Sequence, residues 1–187
     1  MGEREVEILT YTPDKINVFE KYLVTTDQYT TEEGKRYHAK YFNHLIGLAR
    51  VLSEEKRFTL VEKTIGFYYD KKRKDEKKLF LGVDMQAPES QVKADAGYGQ
   101  VTATLLKKNI PVFLPVLLSC KSIFDEPHVD GFVVGMRWRG AWKNELFNFW
   151  IRKDDALLLE NSRITLEELI ERNTITDTDG SVIRLIK

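Results

Sequence analysis

The chain has 187 residues, of which 42% are hydrophobic and 31% charged, an ordinary composition for a globular protein. Its 29 basic and 29 acidic residues cancel, so nucleic acid would have to be bound by a local basic patch rather than by an overall field. The single cysteine, Cys120, excludes an internal disulfide and a Cys-x-x-Cys zinc site. No membrane-spanning apolar run or signal peptide is evident. We therefore expect a cytoplasmic protein that does not contact membranes.

The first half of the chain predicts helices followed by a β-hairpin. A short strand over residues 6–11 precedes a helix over 12–24, which begins with a Thr-Pro-Asp capping sequence. A longer helix over 31–53 carries apolar residues at three- and four-residue steps. Residues 58–69 and 79–85 are rich in β-branched and aromatic side chains and are predicted to pair around a charged turn.

The middle of the chain predicts a helix and then a strand. Residues 89–109 carry a helical apolar pattern, which two glycines near its centre weaken. The apolar run over 110–119 is interpreted as a strand. Pro111 and Pro115 lie inside it, and prolines in a strand favour an edge, a bulge or a bend.

The last third predicts two further hairpins separated by a short helix. The first pairs residues 131–139 with 145–152. The helix begins with the Thr-x-x-Glu pattern of a capping box at Thr165 and extends to Arg172. The final hairpin, 174–186, turns at an Asp-Gly pair.

Together these elements indicate an α+β (mixed α/β) fold with a largely antiparallel central sheet flanked by helices. We expect a single domain over residues 1–187. Its core would be the helix-hairpin-helix-strand unit of residues 31–119, and residues 120–187 would extend it with hairpins.

Polar side chains of the first hairpin are expected on one face, because side chains alternate along a strand. If the charged turn is centred, Gly66 lies opposite Gly82 and Glu62 lies opposite Gln86, with Asp84 beside them. Cross-strand neighbours are roughly 4.5 to 5.5 Å apart at Cβ, and the two glycines would leave open space beside the cluster. Carboxylate and amide oxygens suit Mg²⁺, which activates water against a phosphodiester. The alternative interpretation is the solvated face of an ordinary antiparallel hairpin.

This stretch resembles the core of the PD-(D/E)xK nuclease superfamily, with an acid on the first hairpin strand and an acid-x-Lys or acid-x-Gln triplet on the second. The resemblance covers roughly residues 31–119, although the Pro-Asp pair is absent and glutamine replaces lysine. It implies that Asp84 binds a metal, that Gln86 takes the place of the water-orienting lysine, and that Glu62 or Asp70 supplies the first acid. It also implies a Mg²⁺-dependent nuclease, active or degenerate, acting on DNA or RNA. The Gly-Val-Asp of the second strand resembles RNase H-like nucleases less well, because a proline and a helix follow it.

The turns of two hairpins carry candidate nucleic-acid contacts. The first turn, residues 70–78, holds six basic and three acidic side chains, which suit a phosphate backbone or simply a solvated turn. Around the second turn, over residues 137–143, two tryptophans are interleaved with three cations, a pattern typical of base stacking, of a protein-protein hot spot, or of tryptophans that cap a core. The candidate nucleic-acid-binding residues are Lys71, Lys72, Arg73, Lys74, Arg137, Trp138, Arg139 and Trp142.

Two classes of function follow from these patterns. The first is a nucleic-acid-acting protein, with Glu62, Asp84 and Gln86 as catalytic candidates and Asp84 and Asp70 as Mg²⁺ ligands. The second is a non-catalytic protein-binding or assembly subunit, including a homo-oligomer, that uses its hairpins and exposed tryptophans.

Overall fold

A computed structural model describes residues 18–72 and 78–185. The predicted strand over 6–11, the start of the helix at residue 12, and the candidate contacts Arg73 and Lys74 lie outside these residues. The described part combines helices with a six-stranded mixed sheet, which confirms the predicted α+β class.

The sheet has the strand order β1-β3-β4-β5-β6, and β2 also pairs with β3. The pair β3–β4 is parallel, and the other pairs are antiparallel. The strands are β1 (Thr59–Leu60), β2 (Gly66–Tyr68), β3 (Leu79–Gln86), β4 (Val129–Arg139), β5 (Asn144–Arg152) and β6 (Thr174–Thr176). The helices are α1 (Glu32–Lys40), α2 (Phe42–Ser53), α3 (Tyr98–Leu118), α4 (Lys121–Phe124), α5 (Lys153–Glu160) and α6 (Leu166–Arg172).

The strand predicted over residues 110–119 is wrong, because this run forms the second half of α3. Apolar side chains at three- and four-residue steps all point into the core, and this burial outweighs the hydrogen bonds that prolines remove from a helix. Pro111 and Pro115 themselves are exposed. The fully buried residues of α3 are Leu105, Leu106, Ile110, Phe113 and Leu117.

The start of α3 also differs from the prediction. Residues 89–91 form a 3-10 turn, and α3 begins after Gly97, whose N–H donates to Gln100 Oε1 at 3.3 Å. The element order helix-hairpin-helix-strand is therefore present, with β4 as the strand in place of residues 110–119.

Several local predictions are confirmed. Thr31 caps α1, and Thr165 caps α6 through reciprocal bonds with Glu168. The hairpin β4–β5 is antiparallel over its whole length. The predicted helix over 31–53 is divided into α1 and α2 at Tyr41, whose φ and ψ of −108° and 17° interrupt the helix. The helix α5 was not predicted.

The hydrophobic core lies between the helices and one face of the sheet. On β4, alternate side chains from Phe132 to Trp138 are buried, and on β3 those of Leu81, Val83 and Met85 are buried with them.

Among the described residues, α3 is long and apolar enough to span a membrane by length and composition, but its apolar stripe is packed in this core. Core helices of soluble proteins commonly share these properties.

Replacing Phe113 by alanine should lower the free energy of unfolding by about 3 to 5 kcal/mol. Its ring is fully buried and stacks on that of Phe58, with centroids 4.4 Å apart. Leu114→Ala should also cost about 2 to 5 kcal/mol, because a helix buries both neighbours whereas a strand would place them on opposite faces. Urea denaturation measures both values.

The control for both variants is Lys108→Ala, on the exposed side of the same helix, which should change stability by less than about 0.5 kcal/mol. A Leu114→Ala variant as stable as this control would contradict the helix.

Candidate functional site on the polar face of the sheet

The second face of the sheet carries four of the candidate site residues, Asp84, Gln86, Arg137 and Arg139. Strand registers place Asp84 beside Gly135, Gly135 beside Asn148 and Asn148 beside Thr176, so these residues form one row across four strands. We call this side the polar face. The residues that define it are Gln86, Asp84, Arg137, Arg139, Asn148, Trp150 and Arg152.

Asp84 lies at the centre of the polar face and forms an ion pair with Arg137. Its Oδ2 accepts hydrogen bonds from Arg137 Nε at 3.1 Å and Nη2 at 2.5 Å. Its other oxygen lies over Gly135, where a Cβ atom would be 2.1 Å from Oδ1. The backbone N–H of Asp84 donates to Thr64 Oγ1 at 3.1 Å. The carboxylate is 19% exposed and already has a cationic partner.

The predicted neighbour of this carboxylate, Glu62, lies elsewhere. The register of β2 is as predicted, with Gly66 opposite Gly82, but the chain bulges between β1 and β2 and Thr59 lies opposite Gln86. Lys63 adopts a positive φ of 60° within this bulge. The predicted pairing of Glu62 with Gln86 is therefore wrong, because an inserted bulge changes the register before the strand reaches Glu62.

In the bulge, Glu62 pairs with Lys21 across 3.2 Å and its side chain is 59% exposed. The cluster of Glu62, Asp84 and Gln86 is thus not brought together. Asp84 and Gln86 share the polar face on β3, and Gln86 lies beside Arg137 on β4.

The open space predicted beside the two glycines is filled. The ring of Tyr68 lies over Gly82, where a Cβ atom would be 2.3 Å from Cδ2, and Val24 and Tyr29 occupy the space at Gly66. The Tyr68 hydroxyl donates to the Thr64 carbonyl at 2.6 Å. Burial first, and the charge of Asp84 second, raise the pKa of Tyr68 far above its usual value, so the hydroxyl remains a donor.

The second candidate for the first acid, Asp70, lies beyond the other end of β2. Tyr68 pairs with Phe80, which is four residues from Asp84, or about 13 Å along β3 at 3.3 Å per residue. Asp70 Oδ1 accepts from the backbone N–H of Lys72 at 3.0 Å. In residues 18–72 and 78–185, no group of three or more histidine, cysteine, aspartate or glutamate side chains is arranged to hold a metal ion.

The two tryptophans of the second hairpin have opposite environments. Trp138 is 2% exposed and packs in the core against Tyr98 and Phe147, so its predicted contact with nucleic acid is wrong. It faces the core because it lies one residue from Arg137 on an alternating strand. Trp142, in the turn that joins β4 and β5, is 98% exposed.

The predicted cations are also distributed over the surface. Arg139 is exposed at the end of β4, and Arg137 is 40% exposed in its ion pair with Asp84. Lys71 and Lys72 are exposed in the turn after β2, and Lys72 Nζ lies 3.1 Å from Ser181 Oγ.

Comparisons with family models, with curated proteins and with solved structures find no match to this chain.

The partner of Asp84 and the residues at the far end of the polar face are not predictable from local sequence patterns. Arg137 meets Asp84 because β3 and β4 are parallel neighbours, and two residues separated by 53 positions carry no local signal of that pairing. Trp150 and Arg152 were assigned to a strand, but their clustering with α6 depends on how the chain returns to the sheet.

Gly135→Ala should lower the free energy of unfolding by about 1 to 3 kcal/mol, because the new methyl group would displace the Asp84 carboxylate and disturb its pair with Arg137. In an Asp84→Ala background the same change should cost much less, since the clashing carboxylate is gone. Chemical denaturation of the four proteins gives this coupling energy.

Gly99→Ala is the matched control, because nothing lies within 4 Å of the added Cβ and the position is in the first turn of α3. It should leave stability unchanged or raise it by up to about 1 kcal/mol. Equal costs of Gly135→Ala in both backgrounds would show that Asp84 does not lie over Gly135.

Proposed function

We propose that this protein binds single-stranded nucleic acid along its polar face, in the cytoplasm, and does not cleave it. The observation that carries the proposal is Trp142, a fully exposed tryptophan in the turn that joins β4 and β5 at one end of this face. Exposed aromatic rings stack on unpaired bases regardless of sequence, at about 1 to 3 kcal/mol per base.

The charges around Trp142 support the same proposal. Arg139 precedes it on the strand, and Lys143 follows it with a side chain that is 74% exposed and lies 3.8 Å from Glu145 Oε2 in a surface ion pair. From this turn the polar face continues past Arg137 and Asn148, which offer cationic and amide groups to phosphates and bases. Single-stranded sites combine stacking rings with cations in this way, even in proteins whose net charge is zero.

The environment of Asp84 supports binding without cleavage. A metal held for hydrolysis needs several anionic oxygens, and Asp84 is instead paired with a cation from the neighbouring strand. Glu62 and Asp70, the two candidates for the first acid of the motif, lie away from Asp84, in the bulge before β2 and in the turn after it. By its resemblance, then, the chain would correspond to a degenerate PD-(D/E)xK protein whose catalytic groups have become structural.

Trp142→Ala should weaken binding of a single-stranded oligonucleotide by about tenfold or more, because one stacked base is lost. Arg139→Gln should weaken it too, and should reduce the dependence of log K on log salt by about one phosphate contact. Fluorescence anisotropy with a labelled oligonucleotide, repeated at several salt concentrations, measures both effects.

Arg36→Gln is the matched control, because this arginine is exposed on α1 and the change removes the same charge. It should leave affinity and salt dependence unaltered. If all three variants bind as the parent protein does, or if the parent binds no oligonucleotide, the proposal is wrong.

Cleavage is tested by incubating single- and double-stranded DNA and RNA with the protein and Mg²⁺ or Mn²⁺. We expect intact substrate. Cleavage that Asp84→Ala abolishes would restore the nuclease hypothesis and overturn the assignment of Asp84 to a structural ion pair.

The exposure of Trp142 also favours a second candidate, a protein-binding or assembly subunit, since tryptophan and arginine dominate protein-protein hot spots. In that case Trp142→Ala should dissociate a complex or homo-oligomer detected by light scattering of the parent protein. A parent protein that is monomeric and binds the oligonucleotide favours the first candidate.

A further inference from the structure

A cleft of about 440 Å³ lies at the opposite end of the polar face from Trp142. This volume falls within the range of roughly 300 to 1,000 Å³ that is typical of small-molecule sites. Part of its wall is aromatic, because Phe80 and Trp150 meet edge to face with ring centroids 5.2 Å apart. Trp150 Nε1 donates to Thr176 Oγ1 at 3.0 Å, which fixes the orientation of the indole ring.

Two arginines line the same cleft and are held by one buried carboxylate. Arg152 donates to Asp155 Oδ2 from Nε at 2.9 Å and from Nη2 at 2.7 Å, and Arg172 Nη1 lies 3.6 Å from Asp155 Oδ1. The Asp155 side chain is 5% exposed, whereas those of Arg152 and Arg172 are 60% and 47% exposed. A guanidinium has five N–H donors, so both arginines keep donors for a ligand while Asp155 orients them.

Asn173 completes this support, since its Nδ2 donates to Asp155 Oδ2 at 3.2 Å and to the Leu169 carbonyl at 2.9 Å. The arginines are therefore positioned before any ligand arrives. Preorganised guanidinium pairs suit phosphate, whose oxygens they can bind in a bidentate manner.

The remaining wall of the cleft carries one further cation, Lys78, and two carboxylates, Asp70 and Asp130. Asp130 contributes a carboxylate near the start of β4. Carboxylates are the groups that commonly accept hydrogen bonds from ribose hydroxyls in nucleotide sites. Aromatic rings, paired arginines and a carboxylate thus occur around one cavity of nucleotide size.

We propose that this cleft binds one nucleoside monophosphate unit, with the phosphate on Arg152 and Arg172, the ribose at Asp130 and the base against Trp150 and Phe80. The unit has two possible sources, a free nucleotide or the 5′-terminal nucleotide of a bound strand. The site is separate from the contact assigned to Trp142: a free nucleotide would bind independently of that contact, whereas the strand-end source rests on the proposed function.

The experiment measures calorimetric binding of adenosine 5′-monophosphate, with adenosine as the probe that lacks phosphate. Adenosine should bind at least tenfold more weakly. Arg172→Gln should weaken the monophosphate by about tenfold or more, since charge-assisted contacts to phosphate are lost while Arg152 and Asn173 still hold Asp155. The indole N–H resonance of Trp150, identified by its absence in Trp150→Phe, should shift on binding in the parent protein.

Arg163→Gln is the matched control, because Arg163 is exposed in the loop between α5 and α6 and does not line the cleft. It should bind the monophosphate as the parent does. Thermal melting of each variant separates a loss of ligand contacts from a loss of fold, and Arg152→Lys, which keeps the charge but not the bidentate geometry, provides a second test.

The source is resolved with oligonucleotides that carry a 5′-phosphate or a 5′-hydroxyl. If the 5′-phosphate raises the affinity of the oligonucleotide and Arg172→Gln abolishes this increase, the ligand is the strand end. If only the free monophosphate shows an affinity that depends on Arg172, the ligand is a free nucleotide. If neither probe responds to Arg172→Gln and Arg152→Lys, the cleft is not a nucleotide site. That failure is distinct from failure of the proposed function, which is decided by Trp142→Ala and Arg139→Gln.

Discussion

The parallel pairing of β3 with β4 is the constraint on which the rest of this fold depends. Two parallel neighbours cannot be joined by a tight turn, so the chain must cross the sheet between them. Here α3 makes that crossing, and its fully buried leucines and phenylalanine cover the alternate side chains of β3 and β4 on one face. Most apolar side chains of the strands lie on that side. The other face carries the polar and charged side chains together with Phe80, Val133 and Trp150.

The same constraint decides what Asp84 does. A carboxylate on a central strand has neighbours on both sides, and in parallel register its neighbours on β4 are Gly135 and, two residues on, Arg137. Glycine provides room for the carboxylate to lean across the strand, and arginine provides its counter-charge. Because the pair is only partly exposed, removing either member would leave a charge in a poorly solvated position. A structural role therefore accounts for both residues without a metal ion.

How far the sequence predicts this structure depends on the range of each interaction. Local signals succeeded: Thr31 and Thr165 cap their helices, and the register of Gly66 with Gly82 follows from the centred turn. The strand predicted for residues 110–119 is wrong. The two prolines favour a strand edge, but the apolar residues keep a helical spacing that continues unbroken from Leu106, and their burial determines the structure. The continuous strand predicted through Glu62 is wrong for another reason. Nothing in the sequence around Lys63 distinguishes the bulge from an uninterrupted strand.

In the candidate site, too, local interactions are predictable from the sequence and long-range ones are not. The residue types on the polar face follow from strand alternation, so Asp84 and Gln86 were assigned correctly to one side of β3. Their partners depend on which strand lies next to β3 and in which direction it runs, and this is determined by long-range packing. Trp138 and Trp142 illustrate the consequence. They lie within one basic segment, yet one is in the core and the other is almost fully exposed.

The polar face therefore has two ends with different physical properties. At the β4–β5 turn the exposed Trp142 lies between Arg139 and Lys143, which suits contacts that tolerate different bases and conformations. At the cleft, Asp155 and Thr176 hold arginine and tryptophan side chains in place before a ligand binds, so less conformational entropy is lost on binding. Under the two proposals, the turn would contact a strand loosely and the cleft would hold one nucleotide specifically. The ion pair of Asp84 with Arg137 lies between these ends.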